Sequence, residues 1–219
     1  MKFVVLALSA AALALLVEGG PAVSHNRIDA GYPLPVGGGM PPNVDAIFQW
    51  FDGKTYCFKG DKYWRYNDET DMVESGYPKS IKAGWSGVPD NLDAVFRWSD
   101  GKTYFFRGGK YWRYNDEANK IDSGYPKFIK EDWPGVPSNL DAVFRWSDDR
   151  TYFFKRSKVW RYDDEAKKVD PEYPALIKKE WIGVPDDLDT GGHTSSRAWS
   201  ATNTTTRPER STPDTQDQL

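Results

Sequence analysis

Short apolar runs separated by turn-forming residues recur along most of this chain. The clearest unit has runs rich in β-branched and aromatic residues at 94–98, 103–107 and 110–114. Asp100-Gly101 and Gly108-Gly109 lie between these runs, and such pairs favour tight hairpin turns. The pattern predicts three strands, and a weaker fourth strand around Ile121. The Gly- and Pro-containing segments that follow predict a connector with room for one helical turn.

The whole unit repeats with a fixed spacing. Asp45, Asp93, Asp141 and Asp189 are each 48 residues apart. The first and second units share 32 of 48 residues, and the second and third share 30 of 48. Four short strands and a connector in each unit are typical of a propeller blade. We therefore predict an all-β propeller with blades at residues 43–90, 91–138 and 139–186.

Several motifs of these units resemble hemopexin repeats. They are Asp-Ala-Val-Phe, Thr-Tyr-Phe-Phe-Lys/Arg, Lys-Tyr-Trp-Arg-Tyr, Gly-Tyr-Pro-Lys-x-Ile-Lys and Trp-x-Gly-Val-Pro-x-Asn-Leu-Asp. Such repeats occur in hemopexin, in vitronectin and in the C-terminal domains of matrix metalloproteinases. The resemblance implies a four-bladed hemopexin-like β-propeller, here with three complete blades and an incomplete fourth.

The N-terminal region predicts secretion. A basic start, an apolar run over residues 3–17 and small residues near position 20 are typical of a signal peptide, which we place at residues 1–22. The run is shorter than the ~20 residues of a membrane span, and no other segment is a candidate. Residues 23–42 form a linker that resembles the end of a repeat, because 26–33 matches 119–126. This linker could supply an outer strand.

The repeat pattern stops after Asp189. Residues 190–219 form a polar segment that we predict to be disordered. Asn203, in Asn-Thr-Thr, is a candidate glycosylation acceptor. An alternative is that this tail is a fourth repeat altered by a shifted reading frame or by splicing. An unfinished blade leaves open strand edges, which predicts self-association.

The repeated aspartates are candidate ligands of a structural cation. Asp45, Asp93, Asp141 and Asp189 each begin the strand that lines a propeller's channel, and Ca²⁺ prefers oxygen ligands. The family resemblance implies bound calcium, held largely by main-chain oxygens at these positions and at Ile47, Val95 and Val143. The alternative is that each aspartate caps a turn.

The repeated side chains predict a packed and internally paired domain. We expect Trp64, Trp112 and Trp160 to pack between blades and Cys57 to be buried. Arg65, Arg113 and Arg161 are expected to face a carboxylate of the residues that follow them, such as Asp68 or Asp116. Acidic pairs such as Asp116-Glu117 are expected on a solvated face.

The sequence favours binding over catalysis. The metalloprotease motif His-Glu-x-x-His is absent, and His25 and His193 both lie outside the repeats, which also argues against haem. The net charge of −3 gives no case for nucleic acid. The resemblance implies binding of extracellular proteins or matrix components, or of a protease. Two alternatives stay open: a carrier of haem or another small ligand, and a non-catalytic fragment or paralogue of a matrix metalloproteinase.

Overall fold

The structure is a computed structural model. It describes residues 39–41, 44–67, 69–70, 72–146 and 148–182, together with three short N-terminal strands. These strands are β1 (Val4–Ala7), β2 (Leu13–Leu16) and β3 (Asn26–Arg27). Asp189, Asn203 and the predicted polar tail lie outside the described residues.

Three antiparallel sheets follow, one for each repeat. Blade 1 contains β4 (Ala46–Gln49), β5 (Thr55–Lys59), β6 (Lys62–Asn67), β7 (Met72–Val73), β8 (Lys79–Ser80) and α1 (Ile81–Gly84). Blade 2 contains β9 (Ala94–Arg97), β10 (Thr103–Arg107), β11 (Lys110–Asn115), β12 (Lys120–Ile121), β13 (Lys127–Phe128) and α2 (Ile129–Asp132). Blade 3 contains β14 (Ala142–Arg145), β15 (Arg150–Lys155), β16 (Lys158–Asp163), β17 (Lys168–Val169), β18 (Ala175–Leu176), α3 (Ile177–Glu180) and β19 (Trp181–Ile182).

The predicted strands and turns are confirmed within each blade. In blade 2 the order from the inner to the outer strand is β9, β10, β11, β12. Gly101 and Gly108 have φ angles of 74° and 62°, which glycine adopts without a side-chain penalty. The connector contains the expected helical turn, α2. It also contains β13, which pairs with the start of β11 and was not predicted. The sequence signal was hidden because β13 has only two residues beside a proline.

The hydrophobic core lies between neighbouring blades. Trp133, at the end of α2, lies 5.4 Å from Phe153 and 5.1 Å from Tyr162 of blade 3, measured between ring centroids. Trp85 makes the same contacts with blade 2, at 5.4 Å from Phe105 and 5.2 Å from Tyr114. Two of these contacts are edge-to-face and two are tilted, and aromatic pairs of this kind add to the gain from burial. Each blade is therefore completed by the connector of the blade before it.

The segment before blade 1 occupies the position that such a connector would have. Gly39 and Gly135 occupy the same position of the repeat, as do Val73 and Val169. An added Cβ at Gly39 would lie 3.6 Å from Cβ of Val73, and one at Gly135 would lie 3.1 Å from Cβ of Val169. Met40 and Val44 pack with Cys57, which is buried as predicted. In addition, β3 pairs in parallel with β19 at the end of blade 3. These contacts are those expected of a segment that resembles the end of a preceding repeat, and β3 forms a two-stranded sheet with β19.

The inner strands surround the propeller axis. The inner strand β9 contacts the inner strands β4 and β14 of the neighbouring blades. Within the described sheets, each inner strand is hydrogen-bonded along one edge only, to the second strand of its own blade. β1 and β2 pair with each other, and β2 lies beside β14. Within the described residues, no helix is long and apolar enough to cross a membrane.

Candidate cation site at the start of the inner strands

Asp45, Asp93 and Asp141 immediately precede the three inner strands. Their backbone N–H groups donate to the carbonyl oxygens of Phe58, Phe106 and Phe154 at 2.8, 2.8 and 2.9 Å. These bonds fix each aspartate beside the end of the second strand of its blade. All three side chains are partly buried.

The carboxylates of these aspartates also bind backbone groups. Oδ2 of Asp45 accepts a hydrogen bond from the N–H of Gly60 at 2.7 Å, and Oδ2 of Asp93 accepts one from Gly108 at 2.6 Å. Asp141 accepts the equivalent bond from Arg156. Each carboxylate thus joins the inner strand to the turn between the second and third strands. The three described aspartates therefore cap this turn, and their role as cation ligands stays a prediction.

The aspartates also influence each other electrostatically. Burial of the Asp93 carboxylate is the main cause that raises its pKa, and the negative charge of Asp45 raises it further. The hydrogen bond from Gly108 and the charge of Arg107 act in the opposite direction. A cation near the axis would relieve this repulsion, because it favours the charged form of both carboxylates.

Side chains alone do not form a cation site within the part of the chain that the structure describes. Among the described residues, no three His, Cys, Asp or Glu side chains are grouped closely enough to bind a metal ion. The side chains of Ile47, Val95 and Val143 are 5, 2 and 6 % exposed. Val95 and Val143 pack in the cores between blades, and Ile47 packs in the cluster between blade 1 and the segment before it. These three residues can therefore contribute only main-chain oxygens.

The geometry of the inner strands makes main-chain oxygens available. In the described sheets β4, β9 and β14 are each hydrogen-bonded along one edge only. The other edge carries backbone carbonyl groups that need a partner such as water or a cation. Carbonyl oxygens together with partly buried carboxylates are the ligand type that Ca²⁺ prefers. The donor set therefore fits a hard cation bound largely by the main chain.

The arginines in the third strand of each blade have different partners from those predicted. Nε of Arg65, Arg113 and Arg161 lies 2.5, 2.7 and 2.5 Å from a carboxylate oxygen of Glu74, Asp122 and Asp170, respectively. These acids precede the Gly-Tyr-Pro or Glu-Tyr-Pro motif and occupy one repeat position. The prediction failed because sequence proximity favoured Asp116, whereas strand pairing brings the more distant acid closer. Asp68 lies outside the described residues.

Asp116 was predicted on a solvated face, and this is wrong. Its side chain is buried and lies 3.1 Å from Nε of Arg97, while Glu117 is exposed. Asp164 pairs with Arg145 in the same way at 3.0 Å. The tryptophan prediction is confirmed: Trp64 is buried, and Trp112 and Trp160 are partly buried against the cores.

Comparison with known proteins agrees with this architecture. The hemopexin family model matches residues 44–90, 92–138 and 140–186, the three blades. Stromelysin-2 of Rattus norvegicus is 40 % identical over 65 residues, which cover 27 % of this chain and 14 % of the relative. Neutrophil collagenase of Homo sapiens is 39 % identical over 67 residues, covering 29 % of this chain and 14 % of the relative. The match thus spans a small part of each relative's length.

Solved structures share the fold at low sequence identity. The hemopexin fold protein CP4 from cow pea has a TM-score of 0.54 and 23 % identity, covering 64 % of this chain and 70 % of that one. A plant lectin from Cicer arietinum, described with two metal-binding sites, has a TM-score of 0.55 and 20 % identity, covering 65 and 73 %. With three family matches coinciding with the three observed blades, the chain belongs to the hemopexin family.

Proposed function

We propose that this chain is a secreted hemopexin-domain protein that binds extracellular proteins and does not catalyse a reaction. The observation that carries the proposal is that the family match and the three blades coincide over residues 44–186. The similarity to segments of metalloproteinases supports a protein partner, and the partners that we propose are matrix components or a protease. The apolar run within residues 1–22 supports secretion.

Phe51 is the best candidate for a contact with a protein partner. Its side chain is 58 % exposed, although it lies 4.4 Å from the Trp50 ring, and the other repeats have Ser99 and Ser147 at its position. Arg97 lies 5.7 Å from the Phe51 ring centroid. An exposed aromatic ring held by neighbours, beside an arginine, is typical of the residues that dominate protein interfaces.

Direct binding measurements test this function. Purified protein is immobilised and exposed to defined matrix proteins and metalloproteinases. The Kd of each protein that binds is then measured in solution. We expect saturable binding with a Kd below about 10 µM to at least one of them. Phe51→Ser, which copies the other repeats, should weaken that binding at least about fivefold. Met72→Lys, which also copies the other repeats at an exposed position, is the control. Failure of every extracellular protein to bind would contradict the proposal.

The channel cation is the second part of this proposal. Main-chain oxygens of Asp45, Asp93, Asp141 and of the residues two positions later would hold Ca²⁺, with Asp189 as the fourth member. The bound ion would neutralise the neighbouring carboxylates and tie the inner strands together. The fold similarity to the Cicer arietinum lectin, described with two metal-binding sites, supports a cation in this class of propeller.

Calcium titration tests the cation. We expect added Ca²⁺ to raise the melting temperature of chelator-treated protein, because a ligand that binds only the folded state stabilises it. Asp93→Asn keeps a hydrogen-bond acceptor for Gly108 and removes the charge, so it should reduce the calcium-dependent shift. An unchanged melting temperature at millimolar Ca²⁺ would exclude a stabilising cation.

A further inference from the structure

The basic side chains at the two ends of the propeller differ in their surroundings. The turns between second and third strands lie at the end where the inner strands begin, because Gly60 and Gly108 bond to Asp45 and Asp93. The short helices lie at the same end, since the N–H of Ile81 donates to the carbonyl oxygen of Asp61. This end, defined by the turns at 59–62, 107–110 and 155–158 and by the three helices, is called the lysine face below.

Two lysine positions recur on this face in every blade. The first opens the third strand, and the second is the second residue of the helix. All six side chains are exposed: Lys62, Lys82, Lys110, Lys130, Lys158 and Lys178. Among the described residues, none of these six forms an ion pair.

Most carboxylates on the lysine face are already engaged within the protein. Asp132 accepts a hydrogen bond from the hydroxyl of Tyr111 at 2.6 Å and lies 3.2 Å from Nζ of Lys127. Glu180 accepts one from Tyr173 at 3.0 Å. Asp90 pairs with Arg107 at 2.8 Å, and the three channel aspartates bind backbone N–H groups. Asp61 and Glu131 are exposed, so acids here offset the lysine charge only in part.

Arginines on the rest of each blade are neutralised instead. Those of the first and third strands each lie within ion-pair distance of a carboxylate, as in Arg97–Asp116 and Arg113–Asp122. The net charge of −3 therefore conceals a difference between the two ends. The lysine face repeats two exposed lysines in every blade, whereas the exposed lysines of the opposite end are accompanied by exposed acids such as Glu117 and Glu165. A field of one sign on one face attracts a polyanion whatever the net charge of the molecule.

We propose that the lysine face binds a sulfated polysaccharide. Lysine ammonium groups are compact point charges that suit sulfate and carboxylate groups spaced along a chain. A single nucleic-acid strand is a poorer fit, because its recognition uses rows of exposed aromatic rings. Phe128, with Lys110 and Lys130 at 5.5 and 5.6 Å from its ring centroid, is the one large hydrophobic side chain exposed on the described part of this face.

Heparin affinity measurements with charge-matched variants test this proposal. The face variant is Lys62→Gln, Lys110→Gln and Lys158→Gln together. The control variant is Lys120→Gln, Lys167→Gln and Lys168→Gln, which removes the same charge from exposed lysines at the opposite end. We expect the face variant to bind heparin about tenfold or more weakly at physiological salt, with a shallower salt dependence. The control should change affinity less than about twofold.

Three outcomes would overturn the proposal. Equal losses in both triple variants, or no saturable heparin binding by the unmodified protein, would show that the lysine face has no special role. Tighter binding of a single-stranded oligonucleotide or of anionic vesicles, lost in the face variant, would reassign the surface to another polyanion. Circular dichroism of each variant checks folding, and exposed lysine substitutions should leave it unchanged.

Discussion

The carboxylate of Asp93 and the backbone N–H of Gly108, fifteen residues later in the chain, lie 2.6 Å apart. This bond closes the hairpin of β10 and β11 onto the start of β9. Because the carboxylate is partly buried, it is shielded from competing water, and its removal would leave the N–H of Gly108 without this partner. The same bond recurs in the other two blades, so it is a structural element of the repeat as well as part of the candidate cation site.

Replacement of this carboxylate should destabilise the domain. Asp93→Ala is expected to lower the free energy of unfolding by about 1 to 3 kcal/mol, and Asp93→Asn by less because the amide oxygen still accepts the bond. Urea unfolding in the presence of chelator measures this without any contribution from a cation. Asp90→Ala removes a pair between exposed side chains, so it is the control and should change stability by under about 0.5 kcal/mol.

Alkaline pH should unfold the protein. Burial, the larger cause, and the charge of Asp116 raise the pKa of Tyr114 to about 12, and burial with the charge of Asp164 raises that of Tyr162 to about 12. The folded pKa exceeds the unfolded value of 10.0, so the stabilisation is complete below pH 10 and is lost as pH rises through 12.

Parallel titrations would measure this effect. Tyrosinate absorbance and circular dichroism are followed from pH 9 to about 12.5, and both should change in one cooperative step. Tyr114→Phe removes one such group and should move the midpoint upward if packing is preserved. Ionisation of all tyrosines near pH 10 with the fold intact would contradict the burial that the structure gives Tyr114, which is 1 % exposed.

The repeat explains which features could be predicted from the sequence. Blade strands were predictable because apolar residues and turn residues recur at fixed spacing in three copies. The turn-capping role of Asp45, Asp93 and Asp141 was open as an alternative, since aspartate before a strand fits both a cap and a cation ligand. Strand register shows the cap, because only pairing brings the Gly60 and Gly108 N–H groups to these carboxylates, and the cation role of the same residues stays a prediction.

Features that depend on contacts across strands could not be predicted. Arg113 pairs with Asp122, nine residues away, because β12 folds back beside β11. Similarly, the lysine face becomes visible only when the helices are placed beside the turns of the second and third strands. Positive and negative charges nearly cancel over the whole chain, so the net charge of −3 gave no sign of this face.

Gly84 should be coupled energetically to Tyr63. An added Cβ at Gly84 would overlap the Tyr63 hydroxyl and lie 2.6 Å from two of its ring carbons. The equivalent pair in blade 2 is Asp132 with Tyr111, joined by a hydrogen bond, and in blade 3 it is Glu180 with the smaller Val159. We expect Gly84→Ala to cost about 1 to 3 kcal/mol, because Tyr63 has to shift.

A double-mutant cycle measures this coupling. In the background of Tyr63→Val, which copies blade 3, Gly84→Ala should cost at least about 1 kcal/mol less than it does alone. Gly76→Ala separates overlap from backbone strain, because Gly76 has a φ of 85° and no atom within 4 Å of an added Cβ. Its cost should be the same in both backgrounds. Additive effects of the Gly84 and Tyr63 substitutions would contradict the predicted coupling.

Met40 should contribute to stability although it precedes the three matched repeats. Its side chain packs against the cluster of Val44, Ile47 and Cys57, in the position that Val88 and Val136 have in the following repeats. Met40→Asp would place a charge against this apolar cluster and should lower the free energy of unfolding by about 1 to 3 kcal/mol. Met72→Asp is the control, since Met72 is 58 % exposed and should tolerate the charge. Thermal unfolding of both variants shows whether packing of the segment before blade 1 stabilises that blade, and equal melting temperatures would show that it does not.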